Sequence, residues 1–266
     1  MTLKKISIVL LIVALSCTLL LATTACNKDT GDSLQRVLDA GKLTVVGSGG
    51  YPPFNSPDDE GNIVGFDVDV GAEIAERLGV ELDYVTSDWD GLVEGLRSKR
   101  YDAILGSMAI TPDRLAVVSF TNPYYYSGAQ LVVRKDSGIN SPEDMDGTDI
   151  GVATGTNFVG DAEALGATAT LYQDDLATLT DLVSGRIDGV ITDRLVALNA
   201  MQEINGGDDL ELCGEILRLE VMGIAINRDD TTLLAKINEI LEEMREDGTL
   251  KEISEEWHNG ADITVR

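Results

Sequence analysis

The chain has 266 residues, with 46 Asp and Glu against 20 Lys and Arg, for a formal net charge of -26. That balance excludes a nucleic-acid surface and a polybasic membrane patch, both of which need clustered cations. A solvated acidic surface accounts for it. In chain order, Lys4 and Lys5 precede an apolar run from Ile6 to Ala22, and the small residues Thr23, Thr24 and Ala25 follow. A short basic segment, an apolar stretch and small residues make a secretory signal over 1–25. A retained membrane anchor is the competing reading, because a run of about 17 residues is at the lower limit for spanning a bilayer.

This leader resembles a lipoprotein signal, which implies lipidation of Cys26 and a polar tether over 26–32, although Thr23 stands where an aliphatic residue is usual. Beyond Cys26 only Cys213 remains, so no internal disulfide is expected in the mature chain and export rests on the leader alone.

Beyond the tether, short apolar runs alternate with amphipathic stretches, the grammar of an α/β protein. Leu43 to Gly47 reads as a strand ending in Ser48, Gly49 and Gly50. Asp67 reads as the cap of a helix that carries Val68, Val70, Ile74 and Leu78 on one face and stops at Gly79. The segment LRSKRYDAI, with Ser98, Arg100 and Asp102, recurs as LVSGRIDGV, with Ser184, Arg186 and Asp188. Each copy joins a helix to an apolar strand, as if one unit had been built twice. A second parallel supports this. The strand Asp149 to Val152 runs into Ala153, Thr154, Gly155 and Thr156, as the first strand runs into its Gly/Ser loop. Two such loops at the carboxyl ends of strands would face each other across a cleft.

The expected organisation is therefore domain 1 over 33–124 plus 223–266, domain 2 over 129–217, and hinge crossings at 125–128 and 218–222. Gly223 to Asn227 reads as a strand returning to domain 1. Thr231 to Trp257 reads as two core-packed helices interrupted at Gly248.

Six segments together resemble the polar amino-acid-binding proteins of ABC transporters, solute-binding protein family 3, in family order. They are YPPF (Tyr51 to Phe54), GFDVDV (Gly65 to Val70), GSMAITPDR (Gly106 to Arg114), FTNPYYYSG (Phe120 to Gly128), GVATGTNF (Gly151 to Phe158) and TDRL (Thr192 to Leu195). The resemblance implies a two-domain periplasmic-binding-protein-like (type II) fold. It also implies hinge closure on a free amino acid and delivery to the permease subunits of an importer. No cofactor, metal or nucleic acid is implied, and a monomer suits a shuttle.

A buried amino acid must have its carboxylate, ammonium and side chain all satisfied. For the carboxylate the chain offers Arg114, three residues after Thr111, which should cap a short helix with Pro112 at its first position. Thr154, Thr156 and the amide at Asn157 would add donors at a helix N-terminus. For the ammonium, Asp193 follows an apolar strand; alone it reads as a helix cap, while the resemblance gives it the ammonium, shared with groups around Gly106 and Ser107. Tyr51 and Trp89 correspond to aromatic walls. Ala109 replaces a usual hydroxyl, and Ser48 stands where relatives taking basic or amide side chains often carry an acid, which argues against a basic ligand.

The main rival is a small-carboxylate dehydratase on the same fold; the only histidine, His258, is remote from the expected cleft. A partner of a sensor or chemoreceptor is a third reading. The GSGG at Gly47 to Gly50 lacks the lysine of a phosphate loop and reads as cleft lining.

Overall fold

The computed structural model describes residues 32–266, in which the alternating pattern resolves into two five-stranded sheets. The expected signal peptide, Cys26 and the tether through residue 31 lie outside the described residues. In the first sheet β1 (Lys42–Gly47) lies between β4 (Glu81–Thr86), at one edge, and β5 (Ala103–Ile104), and is parallel to both. Beyond β5 come the antiparallel β12 (Ala225–Ile226) and β6 (Ser119–Phe120). The second sheet runs β11 (Leu210–Met222), β7 (Tyr125–Arg134), β10 (Gly189–Asp193), β8 (Asp149–Ala153), β9 (Thr168–Tyr172). A small hairpin pairs β2 (Ser56–Pro57) with β3 (Ile63–Val64).

Both sheets are covered on both faces, which is why their central strands read as unbroken apolar runs. In β1, Val45 packs into one core with Val70, Ile74 and Ile237, and Val46 into the opposite core with Leu92, Leu96 and Ile104. In β7, Leu131 and Val132 divide in the same way between two cores of the second sheet.

The internal repeat is visible bond for bond. Thr44 N–H donates to Asp102 Oδ2 at 3.0 Å, and Asp149 N–H donates to Asp188 Oδ2 at 3.0 Å. The two aspartate amides return the bond to the same two residues, Asp102 to the Thr44 carbonyl and Asp188 to the Asp149 carbonyl. Arg100 and Arg186 donate their amides to Gly95 and Asp181, five residues back in each case. Each motif thus fastens the end of a helix to the start of the neighbouring parallel strand, once per sheet.

The helix Phe66–Leu78 buries Phe66, Val70, Ile74 and Leu78 and ends on Gly79 at φ 73°, whose N–H bonds back to Ala75 and Glu76. Its start differs from the sequence reading. Gly65, at φ 138°, is the capping residue, and Asp67 lies within the first turn with its side chain fully buried. A Cβ at Gly65 would sit 2.2 Å from the Phe54 carbonyl oxygen. Only glycine lets the helix start pass that close to the 53–54 backbone, and the approach is fixed by Phe66 and Asp67 amides donating to Pro53 and Phe54 carbonyls.

The two expected crossing segments are the paired ends of long strands. β7 and β11 run antiparallel from Tyr125↔Met222 through Gly128↔Leu219, with a shift of register between Cys213 and Arg218. At the far end Ile110 and Tyr124 amides donate to Val221 and Met222, joining this ribbon to the first sheet. The helices Thr231–Glu246 and Thr249–Trp257, broken at Gly248 (φ 89°), pack on the first sheet.

Candidate functional site

A cavity of about 250 Å³ lies at the carboxyl ends of β1 and β5 in one sheet and of β8 and β9 in the other. Of the residues singled out from sequence, Ser48, Tyr51, Trp89, Ser107, Ala109, Arg114, Thr156 and Asn157 line it. Gly106, Thr154 and Asp193 do not. Gly106 is a packing glycine: a Cβ there would come 2.9 Å from Gly47 Cα, so only glycine fits between the ends of β1 and β5. Thr154 turns its hydroxyl to the Tyr172 carbonyl at 2.8 Å. Asp193 is wholly buried beside the cavity. The two sides meet where Trp89 Nε1–H donates to the Gly155 carbonyl at 3.2 Å.

On the first side, Thr111 caps the short helix Pro112–Leu115 by accepting from the Arg114 amide, with Pro112 at its first position. That turn aims the Arg114 side chain back over the cleft. One of its nitrogens donates to the Ala109 carbonyl at 2.9 Å, and the guanidinium lies 5.4 Å from the Trp89 ring centroid. Ala109 therefore contributes its backbone where a hydroxyl is missing. Among the described residues no carboxylate comes within ion-pair distance of Arg114, and it is the single cation lining the cavity. Burial holds its pKa below the ordinary arginine value, with Glu220 acting against the shift.

On the second side, Asp193 caps the helix Arg194–Glu203: its Oδ1 accepts from the Leu195 amide and from Ser127 Oγ, each at 2.8 Å. The helix-cap reading of this residue therefore holds, while its Oδ2 is buried with no hydrogen-bond partner among the described residues. Burial pushes its pKa up to about 7, against the pull of the Ser127 and Leu195 bonds. Thr156 donates its hydroxyl to the Ala153 carbonyl at 2.7 Å. Asn157 begins the helix Phe158–Ala164 and turns its side-chain amide to Glu220 at 2.9 Å.

Four lining carboxylates, Glu220, Asp175, Asp174 and Asp88, were missed from sequence. Glu220, on β11, accepts from Asn157 and Arg218, and Arg218 is held in turn by Asp161 at 2.7 Å. Burial raises its pKa, with Arg218 opposing. Asp175 accepts from Thr192 Oγ1 at 2.6 Å, and burial raises it to about 6. The available signals were weak: a lone acid inside the apolar strand LRLEVM, and the second of two aspartates at a helix start. With Asp88 and Asp174, four acids line the cavity against one cation. His258 stands apart, with its ring 5.3 Å from Phe54 and 5.4 Å from Phe66 and one nitrogen at the Ser254 carbonyl.

The profile of the bacterial extracellular solute-binding proteins, family 3, matches residues 43–260. The chain is 36% identical over 235 residues to the L-cystine-binding protein TcyJ of Escherichia coli K12, covering 87% of each. Among solved structures it resembles holo ArgBP from T. maritima at TM-score 0.75 and 36% identity, covering 82% of this chain and 98% of that one. It also resembles the ancestral amino acid-binding protein AncCDT-1, a precursor of cyclohexadienyl dehydratase, at TM-score 0.79 and 30% identity, covering 85% and 99%. The shared architecture is the two-domain type II fold of periplasmic amino-acid-binding proteins.

Proposed function

The chain belongs to the bacterial extracellular solute-binding proteins of family 3, and on that premise we propose that it captures a free amino acid in the cleft and hands it to an ABC importer. The observation that carries this reading is a pair of unspent opposite charges. Among the described residues, Arg114 lines the cavity with no ion pair, and the buried Asp193 keeps one carboxylate oxygen without a partner. A zwitterion supplies what each lacks: a carboxylate for the planar guanidinium fork and an ammonium for the aspartate. Tyr51 and Trp89 would flank the side chain.

The ligand's net charge follows from the lining. Glu220, Asp175, Asp174 and Asp88 make an added negative charge costly. A neutral or cationic amino acid fits and a dicarboxylate does not. Ser48 alone argued against a basic ligand; the acids of the second side weigh the other way.

The ribbon of β7 and β11 joining the two sheets would serve as the hinge, with 33–124 plus 223–266 and 129–217 moving as bodies, and the Trp89–Gly155 bond forming on closure. A leader over 1–25 and a lipid on Cys26 would hold the protein at the outer face of the membrane, where it meets the permease. Among the described residues no helix is long and apolar enough to cross a membrane.

Calorimetric titration with the common L-amino acids and L-cystine, after unfolding and refolding to strip retained ligand, tests the reading. One-to-one binding of at least one of them supports it. A folded protein that binds none rejects it, and turnover of a bound ligand would favour a lyase instead.

A further inference from the structure

The GFDVDV segment has a task that capping a helix does not explain. Asp67 is 0% exposed, yet among the described residues no cation pairs with it; its carboxylate accepts three hydrogen bonds from neutral groups. Tyr124 Oη donates to Oδ1 at 2.6 Å, and Ser107 Oγ and Asn55 Nδ2 donate to Oδ2 at 2.9 and 2.8 Å. Each donor is also tied to the cleft or to the ribbon. Asn55 Oδ1 accepts from the Gly49 amide at 2.8 Å and from Ser48 Oγ at 3.3 Å. Tyr124 Oη accepts from the Ser107 amide at 3.1 Å and stands immediately before β7.

Proton accounting makes the acceptor at position 67 specific. The Gly49 amide can only donate, so it takes Asn55 Oδ1 and forces Asn55 Nδ2 toward Asp67. The Ser107 amide can only donate, so it takes a lone pair of Tyr124 Oη and sends the phenolic proton toward Asp67 as well. A group that accepts on both atoms closes this set; an amide, with one accepting and one donating end, does not. Ser107 also adopts a left-handed backbone at φ 57°, unusual for a residue with a side chain, and its hydroxyl and amide are both held within the set.

We propose that Asp67 is the positioning residue of the cleft, joining the Ser48–Gly50 loop, Ser107 and the Tyr124 entry to the ribbon into one fixed surface before any ligand arrives. It touches no ligand itself: it is absent from the cavity lining and acts through Asn55, Ser107 and Tyr124. The inference rests on the cleft reading above, but its main test needs no ligand.

Amide hydrogen exchange followed by NMR on the unliganded protein reads it directly. In Asp67→Asn, the carbonyl keeps the two donors Asn55 Nδ2 and Ser107 Oγ, the new amide faces Tyr124 Oη, the phenol loses its acceptor, and exchange at Ser107 should quicken at least about tenfold while Val46 and Ile74 hold their protection. Adding Asn55→Asp turns the group at 67 over, since the carboxylate at 55 accepts from both the amide at 67 and the Gly49 N–H and the carbonyl at 67 then accepts from Tyr124; slow exchange at Ser107 should return. Tyr124→Phe, a milder change, should quicken Ser107 and leave Gly49 slow. Exchange at Gly49 and Ser107 that merely tracks Val46 and Ile74 in all three variants would make Asp67 a core residue only and overturn the proposal. L-cystine, L-arginine and L-glutamine serve as titrants. Any that binds the wild type should bind Asp67→Asn roughly tenfold more weakly, and equal affinity would also overturn it. Failure of the wild type to bind all three counts against the proposed function, and the exchange result still decides the role of Asp67.

Discussion

The two sides of the cleft are built from the same repeated unit but are left in opposite electrostatic states. The first side is complete except for the Arg114 guanidinium: Asp67 takes three donors, Asn55 holds Gly49, and Ser107 is bonded through both its amide and its hydroxyl. The second side is unfinished, with Asp193 keeping a buried oxygen unpaired and Asp175, Glu220 and Asp193 all pushed toward protonation by burial. A finished surface offers shape; an unfinished one offers binding energy to whatever completes it. That division fits a protein whose closed form needs ligand, because only a bound ammonium relieves the second side.

Removing the charges tests this division most strongly. Arg114→Met should weaken amino-acid binding by about 2–5 kcal/mol, roughly 30-fold to several thousand-fold, read by calorimetry. Asp193→Asn should weaken binding about a hundredfold and yet raise the Tm of the unliganded protein at pH 8, because it removes a carboxylate that is costly to ionise in place. A mutation at a finished site would lower both quantities, so opposite signs are the signature of the unfinished one.

The pH dependence follows in sign. The folded-state pKa of Asp193 is raised from 3.8 to about 7, and those of Asp67 and Asp175 to about 6. The folded chain therefore holds more protons than the unfolded chain between about pH 4 and 7. The stability these groups contribute is full below pH 4 and lost as pH rises through 6 to 7. Thermal melts of the unliganded protein should show that decline, and Asp193→Asn should make it shallower at its upper end. The smallest expected effect is at the contact between the sides. Trp89→Phe keeps the ring and deletes the bond to Gly155, and should cost about 0.5–1.5 kcal/mol, seen as faster ligand release in stopped-flow measurements.

Much of this was legible in the sequence because local rules sufficed. The repeated Ser, Arg, Asp spacing announced two equivalent helix-to-strand joints, and both carry the same backbone bonds. Thr111, Pro112 and Arg114 announced their own helix turn. What stayed hidden depended on contacts distant along the chain. Asp67 looked like a cap because aspartate commonly caps, and only the approach of residues 53–55, 107 and 124 turns it inward. Glu220 and Asp175 reach the cavity because strand pairing and helix docking bring them there. Thr154 was expected to face the cleft, but its hydroxyl goes to the Tyr172 carbonyl of the neighbouring strand.

The most direct test of the unspent charge pair is a calorimetric comparison of one amino acid that binds with its analogue lacking the amino group, run on the wild type and on Asp193→Asn. The account predicts that the wild type prefers the amino acid by at least about thirtyfold and that Asp193→Asn loses most of the preference. Equal affinity for both compounds in the wild type, or an undiminished preference in the variant, would contradict it.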